Sequence, residues 1–131
     1  MFLDASAIIA ILAGESEGTA LTKRLGQASE VHTSAIAIFE SALGLARTGN
    51  MDIADATALL DSFLEEVGAV IVPITADIGR SAASAFARFG KGRHAARLNM
   101  GDCFAYACAR SLEVPLLFKG GDFPKTDILA A

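Results

Sequence analysis

Short apolar runs alternate with longer segments of helical rhythm along the whole chain, and this alternation predicts the architecture. Met1-Phe2-Leu3 is a brief apolar run ending at Asp4, after which Ala5 to Leu12 continue in Ala, Ile and Leu, predicting strand, turn and helix. Gly14-Glu15-Ser16-Glu17-Gly18 interrupts this pattern. Thr19 to Leu25 then resumes with Leu21 and Leu25 on one face, which predicts a second, exposed helix. Val31-His32-Thr33 is a short β-branched segment, and Ser34 is placed to cap an apolar helix that runs to about Arg47 and closes at Gly49-Asn50. Asp52, with Asp55 three residues on, resembles a capping box opening a helix that reaches Glu65-Glu66.

Ala69-Val70-Ile71-Val72-Pro73 reads as a buried strand, because an unbroken apolar run marks a strand covered on both faces of a parallel sheet. Thr75 can cap a helix reaching about Phe89, with Asp77 in its first turn, where a negative charge suits the helix dipole. Gly90-Lys91-Gly92-Arg93 is a basic loop. Gly101-Asp102 opens a helix through Leu112, and Val114-Pro115-Leu116-Leu117-Phe118 is the last buried strand before Lys119-Gly120-Gly121-Asp122. Strands alternating with helices predict an α/β layered fold with a mostly parallel sheet, in one domain spanning 1–131.

Composition adds a partner to this picture. The chain is 53% hydrophobic with a mean hydropathy of +0.45, high enough that some apolar surface is expected to meet another protein. The longest apolar run, Ala5 to Ala13, is about half of what a spanning helix needs, and no basic region precedes it as in a signal peptide. A cytoplasmic protein with no membrane segment is expected. Cys103 and Cys108 point in different directions on one helix and read as small buried residues. The net charge of −4 excludes a protein coated with phosphate-binding groups, yet Arg80, Arg88, Lys91, Arg93 and Arg97 gather between Ile78 and Gly101, where no acid occurs.

Four carboxylates carry the candidate chemistry: Asp4, Glu40, Asp102 and Asp122. In an open α/β sheet, ligands bind where the strands end in loops. Asp4 follows the first strand, Asp122 the last, and Asp102 begins a helix, so all three belong at that edge. Glu40 is the only charged residue between Glu30 and Arg47, and a carboxylate in so apolar a helix costs several kcal/mol unless it is partnered. A hard divalent cation such as Mg²⁺ supplies the partner. Zinc is excluded as a rival, since two cysteines and two distant histidines lack its ligand spacing. Singly, the aspartates would also serve as helix caps or turn residues, and Glu40 as half of a buried ion pair; the metal reading rests on all four together.

Phe2-Leu3-Asp4-Ala5-Ser6, Thr33-Ser34-Ala35 to Glu40, Leu98 to Ala107 with Gly101-Asp102 at its centre, and Pro115 to Phe123 followed by Thr126-Asp127 resemble the PIN domain, and within it the VapC-type ribonuclease toxins of type II toxin–antitoxin pairs. The resemblance implies a three-layer α/β/α fold and a site of Asp4, Glu40 and Asp102 with Asp122 as fourth acid. It implies that the site holds Mg²⁺ or Mn²⁺ and cleaves RNA by metal-activated water, with Ser6 as the small hydroxyl residue supporting it. It also implies a small cognate antitoxin and a homodimer. One departure is Gly121, where relatives often carry a second acid, which bears on the number of metals. Arg88, Lys91, Arg93 and Arg97 then become candidates for contacts to the RNA backbone.

Other chemistries fit less well. A phosphoaspartate receiver needs an acceptor aspartate at the end of a middle strand, and Val70-Ile71-Val72-Pro73 has none. Asp4-Ala5-Ser6 is not the Asp-x-Asp of an aspartate-nucleophile phosphatase. Gly120-Gly121-Asp122-Phe123 lacks the glutamate of the cyclase signature, and neither a Gly-x-Ser-x-Gly motif nor a third group behind Cys103 and His94 supports nucleophilic catalysis. An inactive PIN-like interaction module remains as the alternative.

Overall fold

In the computed structural model, which describes residues 1–131, four short strands form one sheet in the order β3-β2-β1-β4, with every pair parallel. The strands are β1 (Phe2–Leu3), β2 (His32–Ser34), β3 (Val70–Val72) and β4 (Leu116–Leu117). Around them lie α1 (Ala5–Leu12), α2 (Gly18–Leu25), α3 (Ala35–Gly49), α4 (Ile53–Glu66), α5 (Ala76–Phe89) and α6 (Met100–Ser111). A single 3₁₀ turn, Phe123–Lys125, follows β4.

The period of two in a strand divides the core. Phe2 and Leu116 face a cluster built by α5 and α6, including Ile78, Phe89, Tyr106 and Cys108. Leu3 and Leu117, one residue along, face a cluster built by α1 to α4, including Ile8, Leu45, Leu60 and Phe63. Both residues of β1 and of β4 are fully or almost fully buried, as a sheet covered on both faces requires. This is the three-layer α/β/α arrangement expected from the sequence, with a sheet that is entirely rather than mostly parallel.

Helix starts follow the sequence closely. Ser34 Oγ accepts from the Ala37 amide at 3.2 Å, and Thr75 Oγ1 from that of Ile78 at 3.3 Å. Asn50, at φ 46, closes α3 in the left-handed conformation that Asn tolerates. Two expectations fail. Asp52 precedes α4 but makes no side-chain capping bond, so Asp52 and Asp55 are not a capping box. β3 is not buried: Val70 is 48% and Ile71 45% exposed, because β3 is an edge strand with a neighbour on one side only. The opposite edge is covered, since Leu116 donates to the Leu129 carbonyl and accepts from the Ala131 amide. No helix is long and apolar enough to cross a membrane.

Candidate active site

Because all strands run the same way, their carboxyl ends share one edge, and the acids gather there. Asp4 leaves β1 as the N-cap of α1, anchored by its amide to the Leu117 carbonyl of β4 at 3.0 Å. Its Oδ2 accepts from the Ser6 amide at 2.9 Å and from the Ser6 hydroxyl. The same Ser6 Oγ accepts from the Lys119 amide at 2.9 Å. Ser6 therefore ties Asp4 to the chain leaving β4.

Asp102 sits at the third position of α6 in a reciprocal capping box. Asn99 Oδ1 accepts from the Asp102 amide at 3.0 Å, and Asp102 Oδ2 accepts from the Asn99 amide at 2.8 Å. Glu40 reaches the same place from the first half of α3. What admits it is Gly101: a Cβ there would sit on the Glu40 carboxylate. Gly44 plays a similar part for the helix pair α1 and α3, where a Cβ would run into the Ile9 side chain.

Asp4, Ser6, Glu40, Asn99 and Asp102 line one open pocket of about 320 Å³, with Ala5, Ile9, Leu43, Gly44 and Arg47 completing its wall. Asp122 does not line it. It is an exposed residue before the 3₁₀ turn, near enough to Asp102 for its charge to be felt there. The structure thus brings three of the four acids together and leaves the fourth at the rim. No three carboxylates close to the spacing that would grip a single ion.

The electrostatics record the crowding. Burial pushes the Glu40 carboxyl up to about 7, reinforced by repulsion from Asp4 and Asp102. Asp102 rises to about 6, chiefly through burial, with the Asn99 amide opposing and Asp4 and Asp122 adding repulsion. Asp4 is raised by burial, against which the Ser6 bonds act. Three acids held where their own charges disfavour one another form a pocket suited to a cation. A nucleophilic alternative is absent: the Ser6 hydroxyl is spent on Asp4 and Lys119, and the Cys103 thiol is pushed up to about 11 by burial and by Asp102.

The basic stretch divides. Arg88 forms an ion pair with Asp127 at 2.8 Å, and the same carboxylate accepts from the Tyr106 hydroxyl at 2.5 Å. Arg88 is thereby tied to the C-terminal segment, although its side chain remains exposed. Lys91, Arg93 and Arg97 are exposed on the loop between α5 and α6, which is pinched at its base by bonds between Phe89, Lys91 and Leu98. Phe89, the one aromatic residue interleaved with these cations, is buried and offers no stacking face. Sequence reasoning missed two lining residues. Asn99 was signalled by its place three before Asp102, and Arg47 by its place seven after Glu40, two turns along one helix face.

The PIN domain family profile matches residues 1–129. A VapC ribonuclease of Rhizobium meliloti is 40% identical, with the match covering 97% of this chain and 98% of that protein. Ribonuclease VapC42 of Mycobacterium tuberculosis is 38% identical over 100% of this chain and 98% of its own length. Among solved structures, VapC20 of Mycobacterium tuberculosis, a Sarcin-Ricin loop cleaving toxin, shares the fold at a TM-score of 0.79, 18% identity and coverage of 99% and 97%. A chain of a toxin–antitoxin complex from Klebsiella pneumoniae does so at 0.69 and 17% identity, covering 99% of this chain and 95% of its own.

Proposed function

Because this chain belongs to the PIN-domain family, and within it to the VapC ribonucleases, we propose that it is the endoribonuclease toxin of a type II toxin–antitoxin pair, cutting RNA at the pocket of Asp4, Glu40 and Asp102 with Mg²⁺ or Mn²⁺. The observation that carries this reading is the convergence of three carboxylates, from three separate segments, in one pocket where burial and like charge oppose their ionisation.

The donor set suits a hard divalent ion. Mg²⁺ takes one or two carboxylates and fills its remaining positions with water and substrate phosphate, so it does not require three acids at ligating distance. Held by Asp4, Glu40 and Asp102, such an ion would supply an acidified water and positive charge to offset that of the phosphate. The chain's part is orientation. Both Ser6 bonds fall on Oδ2 of Asp4 and the Asn99 bond falls on Oδ2 of Asp102, so Oδ1 of each aspartate is the oxygen left to a ligand. Glu40, held against Gly101, faces both from α3. Asp122 adds negative charge from the rim, and with Gly121 beside it a second ion would be held weakly unless RNA phosphate contributed. Lys91, Arg93 and Arg97 precede Asn99 in the chain and supply backbone contacts to the RNA, while Arg88 serves the fold through Asp127.

We further infer a cytoplasmic protein, a single PIN domain over 1–131, that forms a homodimer and is held by a small antitoxin on its apolar surface. If co-expression with the product of the neighbouring small open reading frame gave no co-purification and left growth inhibition unchanged, the antitoxin assignment would be withdrawn. The activity itself is tested with purified protein. RNA should be cut in Mg²⁺ or Mn²⁺, and cutting should stop with EDTA and in folded Asp4→Asn and Asp102→Asn variants. Cleavage persisting in both variants would place the activity elsewhere.

A further inference from the structure

Arg47 is the only cation among the ten residues that line the acidic pocket, and although a cation in the last turn of α3 suits the helix dipole, that effect does not require it on the face turned toward the acids. It forms no salt bridge with any carboxylate of the protein, although three line the same cavity. It is exposed, so its guanidinium makes no packing contribution that an aliphatic residue could not make. It lies in the last turn of α3, seven residues beyond Glu40, about 10 Å along the helix axis. Long helical side chains lean back toward the N-terminus, which carries the guanidinium toward Glu40 and over the pocket mouth.

RNA arriving at this pocket meets three carboxylates whose charges repel its backbone. An ion held among the acids would offset that repulsion most at the scissile phosphate and less at the next one along the strand. A guanidinium offers forked donors that match two phosphate oxygens and stays charged at every working pH. Resting on the ribonuclease reading above, we propose that Arg47 binds an RNA backbone phosphate adjacent to the scissile one and fixes the strand across the pocket. It is a substrate-binding residue of the site, set apart from the loop carrying Lys91, Arg93 and Arg97 by its place on α3.

The test is binding rather than turnover. A short fluorescein-labelled single-stranded RNA is titrated by anisotropy against the Asp102→Asn protein in Mg²⁺, at several KCl concentrations, with and without Arg47→Ala or Arg47→Lys. Arg47→Ala should weaken binding about tenfold, and the slope of log affinity against log salt should flatten by about 0.7, the value for one phosphate contact to a single strand. Arg47→Lys should keep the slope and lose only part of the affinity. Mn²⁺ affinity of the otherwise wild-type protein, measured calorimetrically, should change less than threefold on Arg47→Ala. Unchanged RNA affinity and slope would overturn the proposal. So would a tenfold tightening of Mn²⁺ with no effect on RNA, which would make Arg47 an internal counter-ion. If the Asp102→Asn parent bound no RNA and the wild type cut none, the ribonuclease reading would fall with it. Cutting by wild type together with indifference to Arg47→Ala would sink this inference alone.

Discussion

Replacing Glu40 with Gln should stabilise the metal-free protein, and only at the pH where the carboxylate is charged. Glu40 is half-buried and faces Asp4 and Asp102, and its carboxyl moves from an ordinary 4.5 to about 7. A folded-state value above the unfolded one means that the folded protein holds the proton more tightly. The contribution of Glu40 to stability is therefore greatest below about 4.5, falls as the pH rises toward 7, and levels off above. The full shift corresponds to roughly 3 kcal/mol at 1.36 kcal/mol per tenfold change in proton affinity. The side chain is partly open to water, so screening reduces this to on the order of 1–2 kcal/mol. Gln keeps the shape and removes the charge. Thermal unfolding in EDTA at pH 8 should show Glu40→Gln melting about 4–8 °C above wild type, scaling from a chain of this size. The difference should nearly vanish at pH 4.5. Equal melting temperatures at pH 8, or the same increment at both pH values, would refute the argument that like charge and burial strain this pocket.

Gly101→Ala separates stability from function: alanine is the better helix former by about 0.5–1 kcal/mol, but its methyl displaces the Glu40 carboxylate. Melting should hold or rise while RNA cleavage falls at least tenfold, and full activity would show that Glu40 need not rest there. Ser6→Ala leaves the Lys119 amide without its acceptor and removes the hydroxyl bond to Asp4, leaving only the backbone amide of residue 6 to hold that carboxylate. A loss of about 1 kcal/mol in denaturant unfolding should accompany slower cleavage, and an active variant of unchanged stability would contradict the bridging role. Burial pushes both Cys103 and Cys108 up to about 11. The native protein at pH 7.5 should therefore leave Ellman's reagent unreacted until denaturant is added, whereas a fast native reaction would reopen thiol chemistry.

Much of this protein was legible along the chain because its signals are local. Ser34 and Thr75 mark helix starts through bonds closed within three residues, so their spacing alone predicts them, whereas sequence reasoning missed the equally local Asn99–Asp102 box for a start at Gly101-Asp102. The apolar doublets Phe2-Leu3 and Leu116-Leu117 announce strands covered on both faces, since adjacent residues point to opposite cores. Asp4 and Glu40 stood out for the same reason, as charges set in apolar runs.

The sequence by itself determined the element types, their order and the identity of the acids, because helical period, strand alternation and capping are short-range consequences of residue shape and hydrogen bonding. Only the tertiary structure decided which strand lies at an edge, and so exposed Val70 and Ile71 despite their buried composition. It alone placed Asp122 at the rim rather than in the pocket, bound Arg88 to Asp127, and brought Arg47 to the wall beside Glu40. Each of these depends on which distant segments become neighbours. For Arg47 and Glu40 that is set by the packing of α3 against α1 and α6, with Gly44 making room for Ile9 and Gly101 for the Glu40 carboxylate, contacts that no local pattern encodes.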